Sequence, residues 1–197
     1  MTPVAAVPIA PVRRMTASEF FAWVHCPENR HRFFELDRGE VVERPRPGKY
    51  HGFVCANIAG ILGNFAFRRR KGYVCTNKCG FIAEHHPDTV LGPDVTFYED
   101  DQTHDNMERQ YAERPPLLAV EVMSPNDRIN KTNRRIAQML RGGVAVVWLV
   151  DPDSRDVSVY RLGQDPILLV QEQELTGDTV LADFRCKVAE FFAIPGA

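Results

Sequence analysis

Two acidic residues stand where acids are costly. Asp94 follows Gly92-Pro93 and opens the apolar run that starts at Val95. Glu121 interrupts the run Leu118-Ala119-Val120 before Val122. A carboxylate in such surroundings is unfavourable unless it has a partner, most often a metal ion or a hydrogen-bond donor. Two such acids on neighbouring strands are what a divalent-cation site for phosphodiester chemistry needs. Mg²⁺ and Mn²⁺ take oxygen ligands, and Mg²⁺ keeps several waters, so two or three carboxylates suffice. In this reading Asp94 and Glu121 grip the ion, the Val122 carbonyl adds an oxygen, and Glu35 is a third acid. The ion would lower the pKa of a bound water and neutralise charge on a phosphate. Each residue also has a plain structural alternative. Asp94 can cap a Pro-Asp turn, Glu121 can be the buried partner of Arg135, and Glu35 can be a solvated strand end.

The elements that must position these acids can be read from periodicity. Thr16-Ala17-Ser18-Glu19 is a capping box, so a short helix follows it. Residues 33–36 and 40–43, joined through Asp37-Arg38-Gly39, read as a hairpin. Residues 51–67 place Val54, Ile58, Ile61, Leu62 and Phe65 at helical spacing. His51, at the start of that helix, can contact substrate or serve the fold. Residues 72–75 and 81–83 read as paired strands, and 95–97 as a short one. Residues 117–123 are nearly all apolar and read as a strand buried on both faces. Asn126 or Asp127 can cap the next helix, which stops at Gly142-Gly143. Residues 144–150 form a second central strand, parallel to the first by the crossover rule. Residues 157–160 and 167–170 read as edge strands, and 188–192 as a short closing helix.

The chain of 197 residues, 44% hydrophobic and 25% charged, is of ordinary globular composition. The expected organisation is an arm over 1–14, one domain over 15–193 and a tail over 194–197. No stretch approaches a membrane span, and the start lacks a signal-peptide pattern. The five cysteines, an odd number, suit a reduced cytoplasmic setting. Cys75 and Cys79 near His85-His86 lack a second paired motif, so buried or half-buried thiols are expected there rather than zinc. The net charge of −2 argues against bulk attraction to nucleic acid. Local basic patches occur at Arg68–Lys71 and at Arg128, Lys131, Arg134, Arg135 and Arg141. The first ends a helix, where positive charge complements the dipole.

Several of these pieces together resemble the Uma-type restriction-endonuclease family, a branch of the PD-(D/E)xK nuclease superfamily. They are Phe34-Glu35-Leu36 with Gly39-Glu40-Val41, His51-Gly52, Pro93-Asp94, Val120 to Pro125, Val147 to Pro152, and Leu175 to Leu181. Their order and spacing carry the resemblance from about residue 16 to 192. It implies an α/β (mixed α+β) fold with a restriction-endonuclease-like core, a mixed central sheet flanked by helices. It implies a two-acid metal site at Asp94 and Glu121, with Glu35 nearby, and DNA as substrate. The superfamily motif places a lysine two residues after the second acid; here that residue is Met123. In the family the lysine usually migrates to the following helix, where Arg135 stands. Lys131, one turn earlier, can project to the same face. The family's usual tyrosine one turn further on is replaced by Met139. Arginine keeps its charge and is no base, but it can steady a pentavalent phosphate. Two further readings stay open: a binding module that kept the fold without the chemistry, and a homodimeric scaffold built on exposed edge strands.

Overall fold

The computed structural model describes residues 14–125, 128–194 and 196. The expected N-terminal arm, apart from residue 14, and the proposed caps Asn126 and Asp127 lie outside the described residues. Thr16 closes both halves of its capping box at the start of α1 (Ala17–Val24). The hairpin follows as β1 (Phe33–Asp37) and β2 (Glu40–Arg44), antiparallel, with Glu35 opposite Val42. Helix α2 (Lys49–Arg69) extends two residues beyond its predicted span at each end. Strands β3 (Tyr73–Thr76), β4 (Phe81–Glu84), β5 (Thr89–Leu91) and β6 (Val95–Tyr98) come next. Strand β7 (Leu118–Val122), helix α3 (Ile129–Arg141) and strand β8 (Val146–Asp151) complete the centre. Strands β9 (Asp156–Tyr160), β10 (Ile167–Val170), β11 (Glu174–Thr176) and β12 (Arg185–Lys187) precede a 3-10 turn at Val188–Phe192.

A six-stranded sheet in the order β10-β9-β8-β7-β6-β3 carries the centre. Its β7 and β8 run parallel, Glu121 beside Leu149, and the other pairs are antiparallel. Alternation along β7 sends Val120 and Val122 to one face and Ala119 to the other. On the first face Val54, Ile58, Leu62 and Phe65 of α2 pack with Val95, Phe97, Val120 and Trp148. On the second, Ile136, Met139 and Leu140 of α3 pack with Ala119, Val147 and Leu149. Both faces are covered, which explains the unbroken apolar runs of β7 and β8. Burying each such side chain contributes roughly 1.5–3 kcal/mol. A smaller sheet, β2-β1-β5-β4, packs Leu36, Ile82 and Val90 against Phe20 of α1.

Three expectations need correction. Residues 72–75 and 81–83 do not pair with each other. Strand β3 joins β6 in the large sheet and β4 joins β5 in the small one. Asn77 and Lys78, both at positive φ, turn the chain out of one sheet and into the other. The partner of β4 was missed because β5 has only three residues. Residues 157–160 are not at an edge, since β9 lies between β8 and β10. Helix α3 has Arg128 at its N-cap, without a side-chain cap.

Candidate functional site

Asp94 sits on the Gly92–Asp94 corner between β5 and β6, where it is 5% exposed. Its Oδ2 accepts the Val122 amide at 2.9 Å. His51 Nε2 of α2 stands 3.2 Å from the same oxygen. Lys78 Nζ donates to Oδ1 at 2.9 Å. Burial pushes the Asp94 carboxyl up, but the His51 hydrogen bond, the Lys78 charge and the Val122 amide prevail and bring it to about 2. The acid therefore stays ionised, fixed to the backbone of β7 one residue after Glu121.

Glu121 projects from β7 toward α3 and meets Arg135, whose Nη2 donates to Oε1 at 2.9 Å. The same Nη2 donates to the Gly92 carbonyl at 2.9 Å. Arg135 Nη1 pairs with Glu35 Oε1. Glu35, buried on β1, also accepts the Gly92 amide at 2.9 Å and Arg44 Nε at 2.6 Å. Burial raises the Glu35 carboxyl, yet the Arg135 and Arg44 charges hold it below the usual carboxylate range. Glu121 moves the other way. Burial raises it, Arg135 opposes, and the charge of Asp94 adds to the rise, leaving it at about 7. Burial works against the Arg135 cation, but Glu121 and Glu35 raise its pKa, so it remains charged. Arg135 Nε is the one buried side-chain nitrogen or oxygen without a hydrogen-bond partner among the described residues.

Glu35, Arg44 and Lys78 line a cleft of about 260 Å³, together with Arg30, Arg32 and Tyr111. Lys78 is the only one of the chain's five lysines that is not exposed. Burial lowers its pKa, but Asp94 and Glu121 outweigh this and raise it. The cleft thus offers several cations around one lining carboxylate, Glu35.

The fold brings Glu35, Asp94, Glu121, Arg135 and His51 into one connected cluster. It does not bring Lys131 there: that residue is exposed on the first turn of α3. At Val122 the backbone atom bound to the cluster is the amide. Glu35 is not a solvated strand end, because two arginines and an amide enclose it. Glu121 does have the Arg135 partner that its structural alternative required. Cys75 is half-buried as expected but Cys79 is exposed; the Cys75 thiol beside it lowers the Cys79 thiol to about 7, while His85 faces Asp88 and Glu113. Sequence reasoning missed Lys78 and Arg44. A signal existed for Arg44, since the hairpin register places it diagonally across from Glu35. None existed for Lys78, whose reach depends on the turn between two sheets.

The family described as "Uma2: Putative restriction endonuclease" matches residues 17–189. No curated protein matches the chain. Among solved structures, a "putative nuclease" from Anabaena variabilis superposes with a TM-score of 0.75 at 18% identity. The match covers 90% of this chain and 97% of that one. At this identity it shows the fold, a mixed α/β architecture with helices on both faces of a mixed sheet.

Proposed function

Because the chain belongs to the Uma2 family of putative restriction endonucleases, we propose that it is a metal-dependent nuclease hydrolysing phosphodiester bonds of DNA. The observation that carries this reading is the bond from the Val122 amide to Asp94. It ties the acid of one strand's entry to the strand that bears the other acid. The donor set would suit a hard cation, with carboxylate oxygens from Asp94 and Glu121 and with the Val122 carbonyl and Glu35 as further oxygens. Mg²⁺ or Mn²⁺ bound there would supply a more acidic water and charge neutralisation at the phosphate.

The chain's own residues do the rest. Lys78 stays protonated, so it acts as a cation toward phosphate and not as a base. It supplies the lysine that Met123 does not. Arg135 holds Glu35 and Glu121 apart from solvent and presents charge toward the same space. Glu35 fixes Arg44 at the cleft wall. His51 holds Asp94 in place. Lys131 is assigned to strand contact outside the reacting centre.

The test is cleavage of supercoiled plasmid DNA with Mg²⁺ or Mn²⁺, beside an Asp94→Asn/Glu121→Gln variant. Cleavage by the wild type alone is expected. Equal cleavage by both would mean contamination and end the reading.

One observation favours a second reading, a binding module without turnover. The three acids are already neutralised by three cations, Arg44, Lys78 and Arg135. Calorimetry with Mg²⁺ and Mn²⁺ separates the two, since this module would bind neither at the acids. A homodimer is part of our proposal, through the exposed β10 edge. So is a cytoplasmic location, which suits five free cysteines. No helix among the described residues is long and apolar enough to cross a membrane.

A further inference from the structure

We propose that His51, Cys55 and Asp94 form a second cation site, suited to a thiophilic divalent ion such as Zn²⁺. The ion would take Asp94 from the hard-cation site and so restrain the nuclease. The restraint rests on the proposed function; the site itself does not.

His51 and Cys55 are four residues apart on α2, so they share one face of the helix. That face meets the Asp94 corner. His51 Nδ1 lies 3.4 Å from Cys55 Sγ, and His51 Nε2 lies 3.2 Å from Asp94 Oδ2. One ligand atom from each residue falls within 4.8 Å of the others, and among the described residues no other trio of His, Cys, Asp or Glu does so. Zinc holds its ligands at ~2.0–2.3 Å, so ligand atoms around a tetrahedral ion stand roughly 3.3–3.8 Å apart. Whichever imidazole nitrogen the ion takes, one of the two observed spacings is already near that, and the other ligand pairs lie within 4.8 Å. The ion would take one imidazole nitrogen, exchanging one of the two present hydrogen bonds for a metal bond. The Cys55 thiol would release its proton to solvent and bind as thiolate.

The donor types decide the metal. A thiolate and an imidazole suit Zn²⁺ or Co²⁺, whereas Mg²⁺ seeks oxygen. Three protein ligands leave one position open, the arrangement of zinc sites that still bind water or substrate. Asp94 and His51 are both buried and Cys55 is half-buried, so the ligands are held and not merely adjacent on a surface. Lys78 occupies Oδ1 of Asp94, and Oδ2 takes the Val122 amide and His51 Nε2, so the ion would bind Oδ2 beside the amide and in place of the His51 hydrogen bond. Asp94 is also the acid the nuclease reading needs. Two dications sharing one carboxylate, close to the Lys78 ammonium, repel each other.

The experiment is a Co²⁺ titration of the full chain, read by thiolate-to-cobalt charge-transfer absorption. One equivalent should give the band, and Zn²⁺ should bleach it. Cys55→Ser should abolish it, and Cys75→Ser/Cys79→Ser should keep it. His51→Gln provides the same readout should Cys55→Ser fail to fold. No band, a band that survives Cys55→Ser, or one lost in the Cys75/Cys79 variant would overturn the site. In parallel, Mn²⁺ binding is followed by electron paramagnetic resonance. One equivalent of Zn²⁺ should weaken it about 10–100-fold, the scale on which loss of a supporting group acts at metal sites. The effect should vanish in Cys55→Ser. Mn²⁺ binding unmoved by Zn²⁺ would overturn the restraint. A cobalt band in a protein that cuts no DNA would sustain the site while ending the nuclease reading. Metal-dependent cleavage with no band would end the site alone.

Discussion

Asp94 and Glu121 carry the same kind of group, and their surroundings drive them apart. Asp94 is brought to about 2 and Glu121 to about 7. In an unfolded chain they titrate near 3.9 and 4.3. The depressed acid contributes stability that is present above about pH 4 and lost as pH falls toward 2. The raised acid has the opposite sign. The folded protein holds a proton on Glu121 that the unfolded chain has given up, so stability falls as pH rises from about 4 through 7. The metal-free protein should therefore be most stable near pH 4–5, as far as this pair decides. Glu121→Gln removes the second term and keeps an acceptor for Arg135. Melting temperatures in EDTA from pH 4 to 8 should show the wild type losing on the order of 1–3 kcal/mol relative to the variant. Parallel curves would mean that Glu121 is ionised throughout and that Arg135 outweighs burial.

Gly92 is where three elements converge on the site. Its amide donates to Glu35 of β1, and its carbonyl accepts from Arg135 of α3. A Cβ there would lie 2.6 Å from the Lys78 carbonyl, a backbone atom that cannot swing aside. Gly92→Ala should push the β3–β4 turn away and take Lys78 with it. Overpacking of this kind costs about 1–3 kcal/mol. Cleavage should fall more than stability does. Gly60→Ala, in α2 with nothing within 4 Å of the new Cβ, should leave cleavage unchanged and stabilise by up to about 1 kcal/mol. Thermal melts and plasmid assays on both variants check this; full activity in Gly92→Ala would detach Lys78 from the chemistry. The same corner shows what was legible in the sequence. Asp94 and Glu121 stood out because each is an acid in an apolar run, a local signal. The β7–α3–β8 unit was legible because its periods are long and unbroken. Lys78 was not legible, because its role arises from a turn between two sheets and from the three-residue strand β5. For Glu35 the sequence left a third site acid and a solvated strand end both open, because the arginines that enclose it come from β2 and α3.

At the scale of the whole molecule, the six-stranded sheet ends at β10, which among the described residues is unpaired on its outer side. Ile167, Leu168 and Val170 there are about half exposed. An apolar strand with a free edge is a template for pairing with another chain. Two copies joined antiparallel along β10 would continue the sheet across the pair and cover these side chains. Each copy carries one set of site acids, so a single copy is expected to cut one strand per encounter. A pair offers two centres to one duplex. Light scattering should find a dimer at micromolar concentration, and Ile167→Lys/Leu168→Lys should return a monomer with an unchanged melting profile. On supercoiled plasmid the dimer should yield linear product, while the monomeric variant should accumulate nicked circles. A wild type that is monomeric, or a variant that still makes linear product at the same rate, would remove β10 from the assembly and leave each centre acting alone.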